Sequence, residues 1–253
     1  MGKKKQSYFQ NKKSQNLQVP PKGSKGVLIT SDIHSINRGM HEAISVLERF
    51  SDPLPEEEQQ QQETPAEESL ESELAALRSQ QKTQKARFVP YISEVTGNCF
   101  IRFTVEQDDP NEIVRRYFNY ISQNCESLTK HVVRMYPILA SAFPNSDESL
   151  PILAELLPKM FTPEKQIQYE IVIQRKHKGD GQKETHDELN QKIMNLVGQH
   201  RAVYHNGDSA ILWISLGRNL YIGLVPDWKE LCGCNVPKFC ARVQTKNTEN
   251  TNE

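Results

Sequence analysis

Val132-Val133-Arg134-Met135-Tyr136-Pro137 is a strand-length apolar run with one cation inside it and a proline closing it, the pattern of a β-strand ended by its proline. What precedes it gives it a place. Asp109-Pro110 starts a helix, and Ile113, Val114, Tyr117, Phe118 and Ile121 recur on one face. Before that helix, Arg87–Ile92 is extended and Gly97-Asn98 is a turn dipeptide. Cys99-Phe100-Ile101-Arg102-Phe103-Thr104-Val105 then alternates as the second arm of a hairpin. Earlier still, Gly26-Val27-Leu28-Ile29-Thr30-Ser31 is a short buried-strand run. Asn37 opens a helix whose apolar positions are Met40, Ala43, Ile44, Val46, Leu47 and Phe50, and Pro53 stops it.

In chain order, residues 26–137 therefore read β-α-insert-β-β-α-β, the split βαβ arrangement of a ferredoxin-like domain. Forward of Pro137 the pattern changes. Ile138–Phe143 and Leu150–Phe161 read as two short helices, and Ile167–Ile173 as a strand. A basic loop containing Gly179-Asp180-Gly181 leads to an amphipathic helix with Leu189, Ile193, Leu196 and Val197 inward. Ala210–Leu216 and Leu220–Val225 form a final hairpin around Gly217-Arg218-Asn219. The second unit reads α-α-β-α-β-β, and the whole chain is α+β.

The formal net charge of −1 conceals segregation. Residues 1–25 carry seven lysines and no acid, while residues 51–77 carry nine acids and no Lys or Arg. The first stretch is a disordered basic arm, attracted to polyanions through counterion release. The second belongs to an acidic, Glu/Gln-rich insert over 51–86, too polar to offset the entropy of ordering it. No run approaches the ~20 apolar residues of a membrane-spanning helix. The lysine-rich start lacks the apolar core of a secretory signal. Five cysteines in 253 residues do not form a disulfide framework, so reduced thiols are expected.

Few residues offer chemistry. Ile29-Thr30-Ser31-Asp32-Ile33-His34 is a strand ending in Asp-x-His, similar to the opening of calcineurin-like metallophosphoesterases. Two-metal hydrolysis needs further ligands from later strand ends, and they are missing; the alternative is Asp32 capping a turn. Cys232-x-Cys234-x5-Cys240 lacks a fourth ligand and the usual zinc spacing. The histidines are scattered, and Gly179-x-Gly181 is not a dinucleotide fingerprint. What remains is cationic: Arg175, Lys176 and Lys178 at a strand end, Arg134 inside its strand, and Arg115-Arg116. Arginine forks and lysine point charges in such a cluster suit a sugar-phosphate backbone, against the plainer reading of a solvated loop.

Four stretches carry a family resemblance: Gly26–His34 with its helix and acidic insert, Asn98–Phe103, His131–Pro137, and Tyr169-Glu170-Ile171-Val172-Ile173-Gln174-Arg175-Lys176. The closing hairpin, Trp228 and Lys238-Phe239 also fit. Over residues 26–240 the chain resembles the eukaryotic THUMP-domain tRNA-acetylation adaptors, which help an RNA cytidine acetyltransferase modify serine and leucine tRNAs. The resemblance implies a ferredoxin-like domain over 26–137, a THUMP domain over 138–240, and a tail from 241 to 253. It implies that the chain grips the acceptor end of tRNA, with Arg134, Arg175 and Lys176 on phosphate and Lys178 and Lys159 in support. With only a short stretch after Val225, no catalytic domain is expected. By this resemblance the chain is a non-enzymatic monomer without cofactor or membrane contact, presenting tRNA to a separate acetyltransferase. Its location would be the nucleus, including the nucleolus, with the cytoplasm second. The competing classes are the Asp32/His34 phosphoesterase and an RNA-independent protein scaffold.

Overall fold

The structure, a computed structural model, describes residues 19–53, 86–176 and 184–251. The basic arm up to residue 18, most of the acidic insert, and Lys178 lie outside the described residues. The arm's last residues are placed, however: Gly23 donates its N–H to the Ser141 carbonyl at 2.7 Å, and Pro20 and Ser24 are buried.

The first sheet is antiparallel throughout, in the order β2-β3-β1-β4. It is built from β1 (Gly26–Ser31), β2 (Phe88–Ile92), β3 (Asn98–Phe103) and β4 (Val132–Ile138). Two helices, α1 (Ile36–Phe50) and α2 (Pro110–Asn124), complete the unit. Helix α2 begins as its sequence dictates, with the Asp109 carboxylate accepting from the Asn111 N–H at 2.8 Å. All five apolar residues expected on its inner face are buried. Strand β4 does not stop at Pro137. Among the described residues β1 is its only strand partner, and the one bridge on its other edge, Arg134 to Asn235, lies short of Pro137, so the proline interrupts no ladder and the strand runs on to Ile138.

The second sheet is mixed, in the order β5-β9-β8-β6-β7. Its strands are β5 (Ala140–Ala142), β6 (Gln168–Lys176), β7 (Arg201–Ala202), β8 (Ser209–Leu216) and β9 (Asn219–Val225), with β6 parallel to both its neighbours. Helix α3 (Ser146–Leu156), a following 3-10 turn at Leu157–Lys159, and α4 (His186–Val197) pack on one face. Here one expectation fails. Ile138–Phe143 is not a helix: it finishes β4 and forms β5, because Leu139, Ala140, Ser141 and Ala142 find backbone partners on β9, far along the chain. Leu196, expected inward on α4, is 41% exposed. The stretch expected as a tail from 241 continues a helix, α5 (Val236–Thr251), whose Val236, Phe239 and Val243 are buried.

The chain passes from one sheet to the other at Leu139, and the two sheets share a core. Register puts Leu28, Phe100 and Tyr136 on one face of the first sheet. That face meets the second: Phe100 lies 4.8 Å from Tyr221, and Tyr136 stacks on Trp228 at 6.2 Å and 17°. The approach is close enough to demand glycine at 223, where a Cβ would stand 2.3 Å from the Pro137 carbonyl oxygen.

Candidate nucleic-acid interface

Strand β6 organises the cationic residues. Alternation along a strand sends successive side chains to opposite faces. Tyr169, Ile171 and Ile173 belong to the core under α3 and α4, while Val172 packs against the core shared by the two sheets. Arg175 follows the first set. Its Nη1 donates to the Glu184 carbonyl at 2.7 Å, and its Nε is buried with no hydrogen-bond partner. The Glu184 carboxylate is opposed by burial. Hydrogen bonds from Lys192 and Ser146 prevail and hold it below the ordinary range, so this corner stays anionic beside Arg175. Arg175 thus ties β6 to the approach to α4.

Gln174 and Lys176 point to the other face. Gln174 Nε2 reaches the Tyr136 hydroxyl at 3.4 Å, and Arg134 Nη1 donates to that same hydroxyl at 2.6 Å, with its guanidinium 5.9 Å from the Tyr136 ring. Lys176 is exposed at the end of the strand. So Arg134, Gln174 and Lys176 converge on the seam between the sheets. Close to it, Arg218 on the β8–β9 turn is held by Glu94 from the β2–β3 turn, its Nε donating at 2.9 Å. Arg115 is paired with Asp227, and Arg116 with Asp52 and Glu112, on α2, and Lys159 also sits away from the seam. It lines a groove of about 840 Å³ at the start of β6, where Lys165, Lys229 and Arg242 stand among Asp208, Asp227 and Glu230. Counting ~3.3 Å per residue along β6, that is more than 20 Å from Lys176.

Between these two places, Glu170, Val172 and Gln174 share one face of β6 and are of intermediate burial, with Val172 packed against the shared core. Trp228 Nε1 donates to Glu170 at 3.3 Å, so this face has an aromatic wall. Two residues missed from the sequence stand at its lower end. Tyr204 is 87% exposed, and its ring meets His205 edge-on at 4.3 Å. The only signal for them was an aromatic pair in a polar Asn-Gly loop.

The other sequence candidates are not assembled into sites. Asp32 and His34 are exposed, and the Asp32 backbone carbonyl, not its carboxylate, closes the turn onto Ser35. Among the described residues no group of three His, Cys, Asp or Glu side chains is placed to hold a metal ion. Cys234 is fully buried, and burial pushes its thiol far up, whereas Cys232 and Cys240 are half-buried. The run Cys232–Cys234 has positive φ at every residue. Its tight turn lets the Cys234 carbonyl accept from the Met135 N–H at 3.1 Å, beside Arg134.

No family model matches the chain, and no curated protein matches it. Among solved structures it is similar to the crystal structure of PH1313 from Pyrococcus horikoshii Ot3, at TM-score 0.43 and 10% identity, covering 79% of this chain and 54% of that one. It is also similar to the crystal structure of TrmN from Thermus thermophilus, at TM-score 0.36 and 11% identity, covering 61% of this chain and 42% of that one. The chain spans about half the length of the solved structures it matches.

Proposed function

We propose that this chain is a non-catalytic tRNA-binding adaptor that presents serine and leucine tRNAs to a separate RNA cytidine acetyltransferase for N4-acetylcytidine formation. The observation that carries the reading is the placement of Arg134, Gln174 and Lys176 at the seam between the sheets. Cations gathered at the seam suit RNA, whose recognition rests in large part on phosphate contacts. The β-α-β-β-α-β order with sheet order β2-β3-β1-β4 supports a ferredoxin-like unit over 26–137. The mixed sheet after it supports the THUMP reading of 138–240, and the four resembling sequence stretches point to the acetylation adaptors in particular.

In this reading Arg134 and Lys176 take phosphate directly, Lys159 serves the start of β6, and Arg175 positions β6 and the loop after it. The chemistry belongs to the partner enzyme, the adaptor acts as a monomer, and both work in the nucleus. Reconstitution tests it. The acetyltransferase, acetyl-CoA and serine tRNA are combined with and without this chain, and acetylated cytidine is measured. Acetylation that depends on the chain and falls with Arg134→Gln/Lys176→Gln is the expected result; equal acetylation without the chain refutes the adaptor role.

A further inference from the structure

We propose that Tyr136 is a positioning residue for RNA: its hydroxyl fixes the Arg134 guanidinium and leaves the Nε–Nη2 edge of that guanidinium to grip one phosphate. The inference rests on the RNA-binding reading above and deepens it, from which cation meets the backbone to what holds that cation ready.

The Arg134 backbone is anchored on both sides. It pairs with Thr30 on β1 and, on the other edge of β4, bridges to Asn235, while the next residue, Met135, donates to the Cys234 carbonyl at 3.1 Å. Tyr136 follows two residues on, along the same face of the strand. It is fully buried, its ring is stacked on Trp228 at 6.2 Å and 17°, and Trp228 is tied in turn to Glu170. The Tyr136 hydroxyl therefore stands at a fixed point. Arg134 Nη1 donates to it at 2.6 Å, and Gln174 Nε2 reaches it at 3.4 Å from β6. A guanidinium held in this way has given up much of its rotamer freedom before any ligand arrives, an ordering cost that binding otherwise carries.

The hydroxyl holds Arg134 without cancelling its charge. Elsewhere carboxylates do the holding: Arg87 faces Asp108, Arg115 faces Asp227, Arg116 faces Asp52 and Glu112, and Arg218 faces Glu94. Among the described residues no carboxylate stands within ion-pair distance of Arg134. Asp227, whose charge is felt at Cys234 beside it, is committed to Arg115 at 2.8 Å. Among the described residues nothing accepts from Nε or Nη2 of Arg134 either, and unlike Arg175 Nε neither atom is a buried orphan. Those two nitrogens carry the parallel N–H pair of the guanidinium, the edge that meets two oxygens of a phosphate at once. A half-buried cation with an uncharged anchor and a two-pronged edge to spare suits an anion, and in RNA that anion is a backbone phosphate. Arg175 offers no such edge, because its Nε is enclosed.

The test is a double-mutant cycle on the full chain, reading affinity for total tRNA in the parent, Tyr136→Phe, Arg134→Gln and the double variant. Tyr136→Phe keeps the ring and its stacking and removes only the anchor. The expected result is about fivefold weaker binding by Tyr136→Phe alone, and no further loss on adding it to Arg134→Gln. Arg134→Lys, which keeps the charge but lacks the fork, should bind nearer to Arg134→Gln than to the parent. Unchanged affinity of Tyr136→Phe overturns the proposal, as does an equal loss in both backgrounds, which marks a general effect on the fold or a direct contact by the hydroxyl. A second measurement needs no change at Tyr136. The side-chain nitrogen NMR spectrum of the free parent should show slowed rotation of the Arg134 guanidinium, assigned by its loss in Arg134→Gln; a freely rotating guanidinium overturns the proposal. If the parent binds tRNA and Arg134→Gln binds it equally well, the proposal falls while RNA binding stands. If the parent binds no tRNA, the RNA-binding reading itself falls, a result separable from failure of the anchor alone.

Discussion

Asp108 is a charged residue with 5% of its side chain exposed, and it persists because Arg87 meets it with two nitrogens, at 2.8 and 2.5 Å. Arg87 also donates to the Asp52 carbonyl, so the pair fastens the start of β2 to the exit of α1. Asp108→Asn would leave a half-buried guanidinium without its counter-charge. We expect it to lower stability by about 3 kcal/mol, measured by urea unfolding. The cysteines divide on the same principle of burial. Cys99 is buried and its thiol is pushed from an ordinary 9.0 up to about 12. Stability from keeping that thiol neutral is complete below pH 9.0 and lost as pH rises towards about 12, because the unfolded thiol ionises first. Alkylation of the native protein at mildly alkaline pH should therefore modify Cys125, Cys232 and Cys240 and spare Cys99 and Cys234, as peptide mapping would read. At this scale the sequence pointed to Arg134 and Lys176 but not to their different surroundings from Arg175. Alternation along β6 separates Arg175 from Lys176, and which face is open depends on a second sheet that no local pattern reports.

Helices obey local rules, and their stabilities follow from them. Helix α4 opens with a reciprocal capping box: Thr185 Oγ1 accepts from the Glu188 N–H at 3.2 Å, and the Glu188 carboxylate accepts from the Thr185 N–H at 2.8 Å. Thr185→Ala should cost about 1 kcal/mol, read from thermal unfolding. Helix α5 rests on tertiary contact instead, with Phe239 edge-on to Phe118 at 4.9 Å. Phe239→Ala should cost about 3 kcal/mol and free α5 from α2, which hydrogen exchange along the helix would show. The inner face of α2 was legible because five apolar residues recur at helical spacing after a proline start. Helix α5 carried its own signal in Val236, Phe239 and Val243, spaced for one helical face, but dilution by polar residues hid it. Ile138–Phe143 was misread for another reason. A short apolar run suits a strand or a helix equally, and only pairing with distant β9 decides between them.

Across the whole molecule the order of elements was legible in the first unit and less so in the second, where β6 and β7 are parallel and β5 is recruited from far away. Parallel pairing and long crossovers leave little local trace. The shared core binds the two sheets into one energetic unit, through Phe100 on Tyr221 and Tyr136 on Trp228. We expect a single cooperative thermal transition with coincident calorimetric and van't Hoff enthalpies, and Tyr221→Ala should lower it without splitting it. That same seam is where the cations converge. Whether RNA uses this seam decides the function proposed for the chain. The most direct measurement is binding of the purified chain to total tRNA and to a duplex RNA of equal length across a salt series, repeated with Arg134→Gln/Lys176→Gln. The account predicts preference for tRNA, steep weakening with salt, and a shallower slope together with lower affinity for the double variant. Equal binding of both RNAs, with the variant indistinguishable from the parent, would contradict it.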